Sequence, residues 1–480
     1  MSYTLRLFWE AAGGNVPEHW EFKTIDELLE HPKAISVGVM YPGSDSDGGV
    51  PLIKVSDVKS GAIASRPSFC ISNKVDEEYK RTRLNGSELL LTLVGNPGDC
   101  VIVTDEMCGW NVARALAVIR LKDTQLRSWI RYVLASKPAQ HLIEARLNTT
   151  VQKTLNLKDV REIGIPIPPK EERDSITKTI DSIEKKTLIN TKINQTLESI
   201  AQAIFKSWFI DFEPVRAKIA AKLEGADPEI AAMCVISGKS EAELKKMPED
   251  DFAELQATAV LFPDELVESE LGEVPRGWEV TRFNKIILQY IDNRGKTPPT
   301  QIDGIPLLEV KHLPEGSLNP DLNTEKRVSL ETFNNWFRAH LQEDDLIIST
   351  VGTIGRLCII PADKKLTIAQ NILGLRFKKD EVNPLFMYYQ MDSCKFRNDV
   401  NARLVITVQA SIKRKDLETI DLLKPDINIQ NVFAEKIKPF VLSQQSDESL
   451  KLIDIRDTLL PKLLSGEVSV EDIKQQQDLA

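Results

Sequence analysis

GNVPEHWEF, running from Gly14 to Phe22, returns as GEVPRGWEV from Gly272 to Val280, an offset of 258. Three further blocks repeat in the same order. Gly49-Val-Pro-Leu-Ile53 returns as Gly304-Ile-Pro-Leu-Leu308, offset 255. Val94-Gly95-Asn-Pro-Gly98 returns as Val351-Gly352-Thr-Ile-Gly355, and Thr150-Val151-Gln152 as Thr407-Val408-Gln409, both at offset 257. A period this long exceeds any solenoid repeat and describes a duplicated domain. Two like domains on one chain can be related by a pseudo-twofold axis, and duplex DNA is the partner that most naturally presents paired sites about such an axis.

Around these blocks each copy reads as a mixed domain followed by a long helix. Short β-rich runs at Val50–Val55, Leu89–Val94, Val101–Thr104 and Leu116–Leu121 are punctuated by Gly, Pro and Asn. The runs Leu307–Val310, Leu346–Val351, Leu357–Ile360 and Ile372–Phe377 occupy the matching places, and helical stretches such as Leu126–Leu147 and Pro384–Asn401 are interleaved. The fold class is therefore α+β.

After the first domain a helix is expected from about Lys170 to Phe212, apolar at Ile176, Ile180, Ile183, Ile193, Leu197, Ile200, Ile204 and Trp208. A helix of some 40 residues is about 60 Å long, so its stripe needs a partner helix, and the second copy supplies one. That second helix runs from about Ile427 to Leu464, and Pro439 should kink it or break it in two. Residues 215–275 have no counterpart after the second helix and read as short helices returning the chain to the second copy.

Composition is ordinary for a soluble globular protein: 480 residues, 42% hydrophobic and 28% charged. No apolar run approaches the roughly 20 residues that span a bilayer, and the first residues lack the form of a signal peptide. Six cysteines and five histidines form no metal-ligand spacing, which predicts reduced thiols and no metal. The formal charge of −10 argues against a chain that grips DNA unaided. Basic residues do cluster, at Lys80-Arg81-Thr82-Arg83, at Arg294 with Lys296, and at Lys413-Arg414-Lys415. Each cluster is either a phosphate-contacting patch or a solvated face.

Three strings then decide the reading: LESIAQAIFKSWFIDFEPVRAK (Leu197–Lys218), LFPDELVESELGEVPRGWEV (Leu261–Val280) and IRDTLLPKLLSGEV (Ile455–Val468). They resemble the central and C-terminal conserved regions of the specificity subunit of Type I restriction–modification systems, and the resemblance covers essentially the whole chain. It implies two target recognition domains, 1–168 and 272–425, a central conserved long helix 169–213, a helical connector 214–271, a C-terminal conserved long helix 426–467 and a tail 468–480. The two helices would form an antiparallel coiled coil of pseudo-twofold symmetry. The resemblance further implies a chain without chemistry of its own, in which each recognition domain reads one half of a bipartite double-stranded DNA target. The helices would dock two methyltransferase subunits, which carry the S-adenosylmethionine, and restriction subunits with translocase and nuclease activity join through the complex. The expected compartment is the cytoplasm.

Within that frame the DNA-contact candidates are Lys80, Arg81, Arg83, Asn96, Gln152, Lys153, Lys158, Arg294, Lys296, Thr353, Arg356, Gln409, Lys413 and Arg414. The two Gly-x-x-Gly turns keep their glycines and change the residues between them, as a fixed backbone with a changeable base-reading tip requires. Gln152 and Gln409 can pair with adenine edges, with nearby cations on phosphates; a helix N-terminus with Thr as cap is the equal alternative. Trp208, Phe209 and Phe212, with Leu459 and Leu463, are the candidates for partner contact. Packing of the helix pair competes with that role, and Phe209 and Phe212 suit an open partner surface better than Trp208 does.

A self-contained DNA-modifying enzyme fits less well. The Pro-Pro pairs, Ile167-Pro-Pro-Lys170 and Thr297-Pro-Pro-Thr300, lack the Asn/Asp-Pro-Pro-aromatic form of an amino-methyltransferase, and no P-loop is present. A coiled-coil scaffold without nucleic acid leaves two divergent β-rich domains without a purpose.

Overall fold

The computed structural model describes residues 2–445 and 448–470, apart from residues 60, 64, 148–152, 294 and 407–408. By its contacts the chain forms two units, residues 1–189 with 448–480 and residues 190–447. Each holds one copy of the mixed domain.

In the first unit a four-stranded antiparallel sheet has the order 35–37, 116–119, 89–92, 100–102. A three-stranded sheet places Val50–Ile53 between Cys70–Ile71, antiparallel, and Asn111–Val112, parallel. A two-stranded pair joins the domain's beginning to its end, from Glu21 opposite Ile167 to Thr24 opposite Gly164. The second unit repeats every one of these: strands in the order 287–291, 372–377, 346–349, 357–359; Ile305–Leu308 between Arg327–Val328 and Thr367–Ile368; and Glu279–Arg282 paired with Asp421–Lys424. The long central strands are apolar on both faces, Leu89, Leu90 and Leu91 in one copy and Leu346, Ile347 and Ile348 in the other, all fully buried.

The interleaved helical stretches are each two helices. Arg127–Ala135 and Lys137–Glu144 meet at Ser136, and Pro384–Asp392 and Cys394–Ala402 meet at Ser393, 257 residues later. Both serines are extended at the joint, and both hydroxyls donate at 2.6 Å to the carbonyl three residues before, of Val133 and Gln390. Each thereby satisfies an orphan carbonyl of the helix it ends. An additional helix, Ser2–Ala11, precedes the first repeated block.

The long helix runs Lys170–Phe209, ending earlier than expected. Phe212 adopts a left-handed conformation (φ 54°), and Pro214 stands in the first turn of the next helix, Glu213–Glu224. In the first unit Ile176 and Ile180 share a core with Leu463 and Leu464 of the helix Glu448–Ser465, while Lys186 pairs with Glu448 at that helix's start. The two helices therefore run in opposite directions. In the second unit Ala201, Phe205, Trp208 and Phe209 share a core with Phe433, Ile437 and Val441 of the helix Ile427–Gln445. The expected stripe is corrected in its middle: Ile193 and Ile200 are exposed, because the buried face passes through Leu197, Ala201 and Phe205, one helical step away.

Pro439 does not end its helix, which continues to Gln445. Pro439 and Glu435, four residues before it, are both exposed, so the carbonyl left without a donor faces water. The connector comprises Glu213–Glu224, Pro228–Ser237, Glu241–Leu244 and Glu249–Val260, followed by the hairpin Leu266–Ser269 with Gly272–Pro275. Within it Lys218 is buried, and its ammonium donates to Glu229 at 3.0 Å and to the Phe262 carbonyl at 2.8 Å.

Candidate nucleic-acid interface

The hairpin tip in each copy is fastened by one buried hydroxyl. Thr92 Oγ1 donates to the Asn96 carbonyl at 2.5 Å and accepts from Asp99 N–H at 2.9 Å. Ser349 Oγ donates to the Thr353 carbonyl at 2.5 Å and accepts from Arg356 N–H at 2.9 Å. Gly98 and Gly355 donate to the carbonyls of Thr92 and Ser349, each at 3.0 Å. Gly95, Gly98, Gly352 and Gly355 all have positive φ, the backbone region in which a side chain is strained. The repeated glycines are thus scaffold, and what varies is the tip: Asn96 and Pro97 against Thr353 and Ile354.

The chain that follows the second repeated motif runs beside the first. Val94 bridges Thr154 and Leu155 N–H donates to the Leu93 carbonyl at 2.9 Å, so the chain leaving the first Thr-Val-Gln block runs along the hairpin. In the other unit Val351 bridges Ser411, Gly352 N–H donates to Ala410 at 3.1 Å and Ile412 N–H to Thr350 at 2.9 Å. Two loops more than 50 positions apart in sequence therefore form one edge in each copy.

The individual candidates fare differently. Lys80, Arg81, Lys153, Lys158, Lys296, Thr353, Gln409, Lys413 and Arg414 are exposed, whereas Gln152 and Arg294 lie outside the described residues. Arg83 is half-buried and engaged within the domain: its Nε donates at 2.8 Å to buried Asp76 and its Nη2 at 3.1 Å to Glu77. Arg356 is half-buried and donates to the Leu313 carbonyl at 3.0 Å. Asn96 donates to Asp99 at 2.8 Å, and Arg414 pairs with Glu418 while stacking 3.8 Å from the Tyr290 ring centre. Among the partner candidates, Phe209 and Phe212 are corrected from an open surface to the core. They are 5% and 8% exposed and pack edge-on or tilted against Trp278, Phe386 and Phe433. Trp208 is buried at 2%, Leu463 is buried and Leu459 partly so.

One pairing that the motifs did not reveal is also duplicated. Glu88 is fully buried with Arg120 at 3.0 Å, and Asp345 with Arg376 at 2.6 Å, each acid standing just before the matched central strand. Arg120 also donates to the carbonyls of Arg81 and Arg83, at 2.8 and 3.1 Å, and Arg376 to that of His340 at 2.8 Å. The segment so anchored begins in both copies with a serine-capped helix, at Ser72 and Ser329. At that offset of 257 Arg81 corresponds to Arg338, and both are exposed with no side-chain hydrogen bond or ion pair among the described residues. Arg338 escaped the sequence reading because it stands alone between Phe337 and Ala339, outside any basic cluster.

Glu309, His312 and Glu325 draw together in a set with metal-ligand chemistry. Their charges are met internally: Lys326 pairs with Glu309 at 2.6 Å, and Lys311 with Glu325 at 2.7 Å, holding the Glu325 carboxyl down at about 2. His312 Nδ1 accepts the Glu309 backbone N–H at 2.9 Å, which places its proton on Nε2 and removes the lone pair a metal would need there.

Two segments of the chain, residues 17–199 and 275–452, match the family described as Type I restriction modification DNA specificity domain. The chain is 31% identical over 355 residues to the Type I restriction enzyme HindI specificity subunit of Haemophilus influenzae, covering 68% of this chain and 73% of that one. It is 22% identical over 496 residues to the MjaIX specificity subunit of Methanocaldococcus jannaschii, covering 98% and 100%. Among solved structures it is similar in fold to the Type I restriction–modification S subunit from M. genitalium, with TM-score 0.50, 13% identity, and coverage of 92% and 96%.

Proposed function

Because the chain belongs to the Type I restriction–modification DNA specificity family, we propose that it is the sequence-reading subunit of such a complex, with each recognition domain reading one half of a bipartite, asymmetric DNA target. The observation that carries this reading is the duplicated edge, in which the same hydroxyl clamp fixes two hairpins of different tip, Asn96-Pro97 and Thr353-Ile354. A common backbone with exchanged side chains is what two readers of unlike sequence require.

The long helices act as the spacer and as the seat for two methyltransferase subunits, which bring the S-adenosylmethionine. Restriction subunits join that assembly, and it works in the cytoplasm. The net charge of −10 supports a division of labour in which the partners supply most of the phosphate contact. Ile193 and Ile200 of the long helix are 46% and 41% exposed, and they suit the partner seat better than the buried Phe209 and Phe212 do. Among the described residues no helix is long and apolar enough to cross a membrane. The chain performs no methyl transfer or cleavage itself.

Mapping methylated motifs in DNA from cells carrying this chain with a methyltransferase partner tests the proposal. A bipartite motif with an unread spacer is expected; a continuous motif, or methyl transfer from labelled S-adenosylmethionine by the isolated chain, would overturn it.

A further inference from the structure

The second recognition domain contains a polar cleft of about 460 Å³ whose lining includes Asn293, Arg338, Thr350, Gln370, Asn371 and Arg414. Asn293 is 4% exposed; its Oδ1 accepts the Gly295 N–H at 3.1 Å, and its amide nitrogen has no hydrogen-bond partner among the described residues. A buried amide without an acceptor costs about 1–3 kcal/mol in a finished core, a cost that a water or an acceptor on an entering ligand removes. Across the cleft's lining, Arg338 offers an exposed guanidinium whose backbone neighbourhood is held by the Arg376–Asp345 pair through His340. Asn371 sits at φ 74°, a left-handed conformation at the turn into the central strand, and its carbonyl accepts the Thr350 N–H at 2.8 Å.

We propose that Asn293 and Arg338 are specificity-determining residues that together read a guanine in the half-site of the second domain, an inference that rests on the DNA-reading function above. The Asn293 amide nitrogen and the Arg338 guanidinium are donors, and the Asn293 carbonyl oxygen already accepts from Gly295. Guanine's major-groove edge presents two acceptors, N7 and O6, and no donor, the pattern that a pair of side-chain donors meets. The first domain lacks the feature. At the 255 offset of this segment Asn293 corresponds to Gly38, where a Cβ would lie 2.1 Å from the Val112 carbonyl oxygen, so no side chain fits there. Arg81 is the only one of the two positions retained, and the two halves therefore differ in what they read.

The test uses the complex of full-length chain and methyltransferase subunit, carrying Arg338→Gln or Asn293→Ala, with thermal midpoints recorded for both. Arg338 is exposed, so Arg338→Gln is expected to fold normally whatever the fate of the buried variant. Motif mapping is expected to show relaxation at one G·C pair of the second half-site, with binding to the cognate duplex weakened about 5- to 150-fold and the first half-site unchanged. Equal weakening on all sequences would mean a phosphate contact and would overturn the inference, as would relaxation at another base pair or an unchanged motif with unchanged affinity. A wild-type complex that methylates no bipartite motif would instead remove the reading on which the inference stands.

Discussion

Thr92 and Ser349 each hold a hairpin tip with a single hydroxyl that donates once and accepts once, and both are fully buried. Thr92→Val keeps the volume and strands the Asp99 N–H and Asn96 carbonyl, a loss of about 1–3 kcal/mol measurable by urea unfolding. It should loosen recognition of the first half-site alone. The thiols give a second residue-scale test. Burial pushes Cys100 and Cys358 up to about 12, so both remain protonated at neutral pH, whereas Cys108 and Cys394 are exposed. Only thiolates are good nucleophiles. An alkylating reagent at pH 8 should therefore modify Cys108 and Cys394 in the native chain and reach Cys100 and Cys358 only after denaturation, as peptide mapping would record.

Among the elements, the end of the long helix shows why its aromatic residues are structural. Phe209 touches Trp278, Phe386 and Phe433, so Phe209→Ala should cost about 3–5 kcal/mol and lower the thermal midpoint. Ile193→Asp, on the exposed face, should leave that midpoint unchanged while reducing co-purification of the methyltransferase subunit. The helix itself, the strands and their duplication were legible in sequence because periodicity and Gly-Pro punctuation report local geometry directly. The rotation of its buried face was not, since Ile193 and Ile200 look as apolar as Leu197 and only packing against Phe433 and its neighbours selects between them. The site was legible in part for the same reason. The Gly-x-x-Gly and Thr-Val-Gln blocks announced themselves by repetition, whereas the Glu88–Arg120 and Asp345–Arg376 pairs join residues about 30 positions apart, and the unpaired amide of Asn293 exists only once the chain is folded.

For the whole molecule, two units built alike but tipped differently predict separable loss of function. Lys153→Ala should weaken or broaden only the first half of the methylated motif, and Arg414→Ala only the second, as motif mapping of each variant complex would record. A mutation in one unit that changed both halves would contradict independent readers. The pairing of each domain's first strand with its last, Glu21–Thr24 with Gly164–Ile167 and Glu279–Arg282 with Asp421–Lys424, carries a consequence for inheritance. The chain enters and leaves each domain through neighbouring strands, so a segment cut just outside them carries its own closing seam and has its two ends side by side. A single recombination event replacing codons 21 to 167 would therefore transplant an entire reading head as a cassette, giving a host lineage a new target while the other half of its motif passes on unaltered.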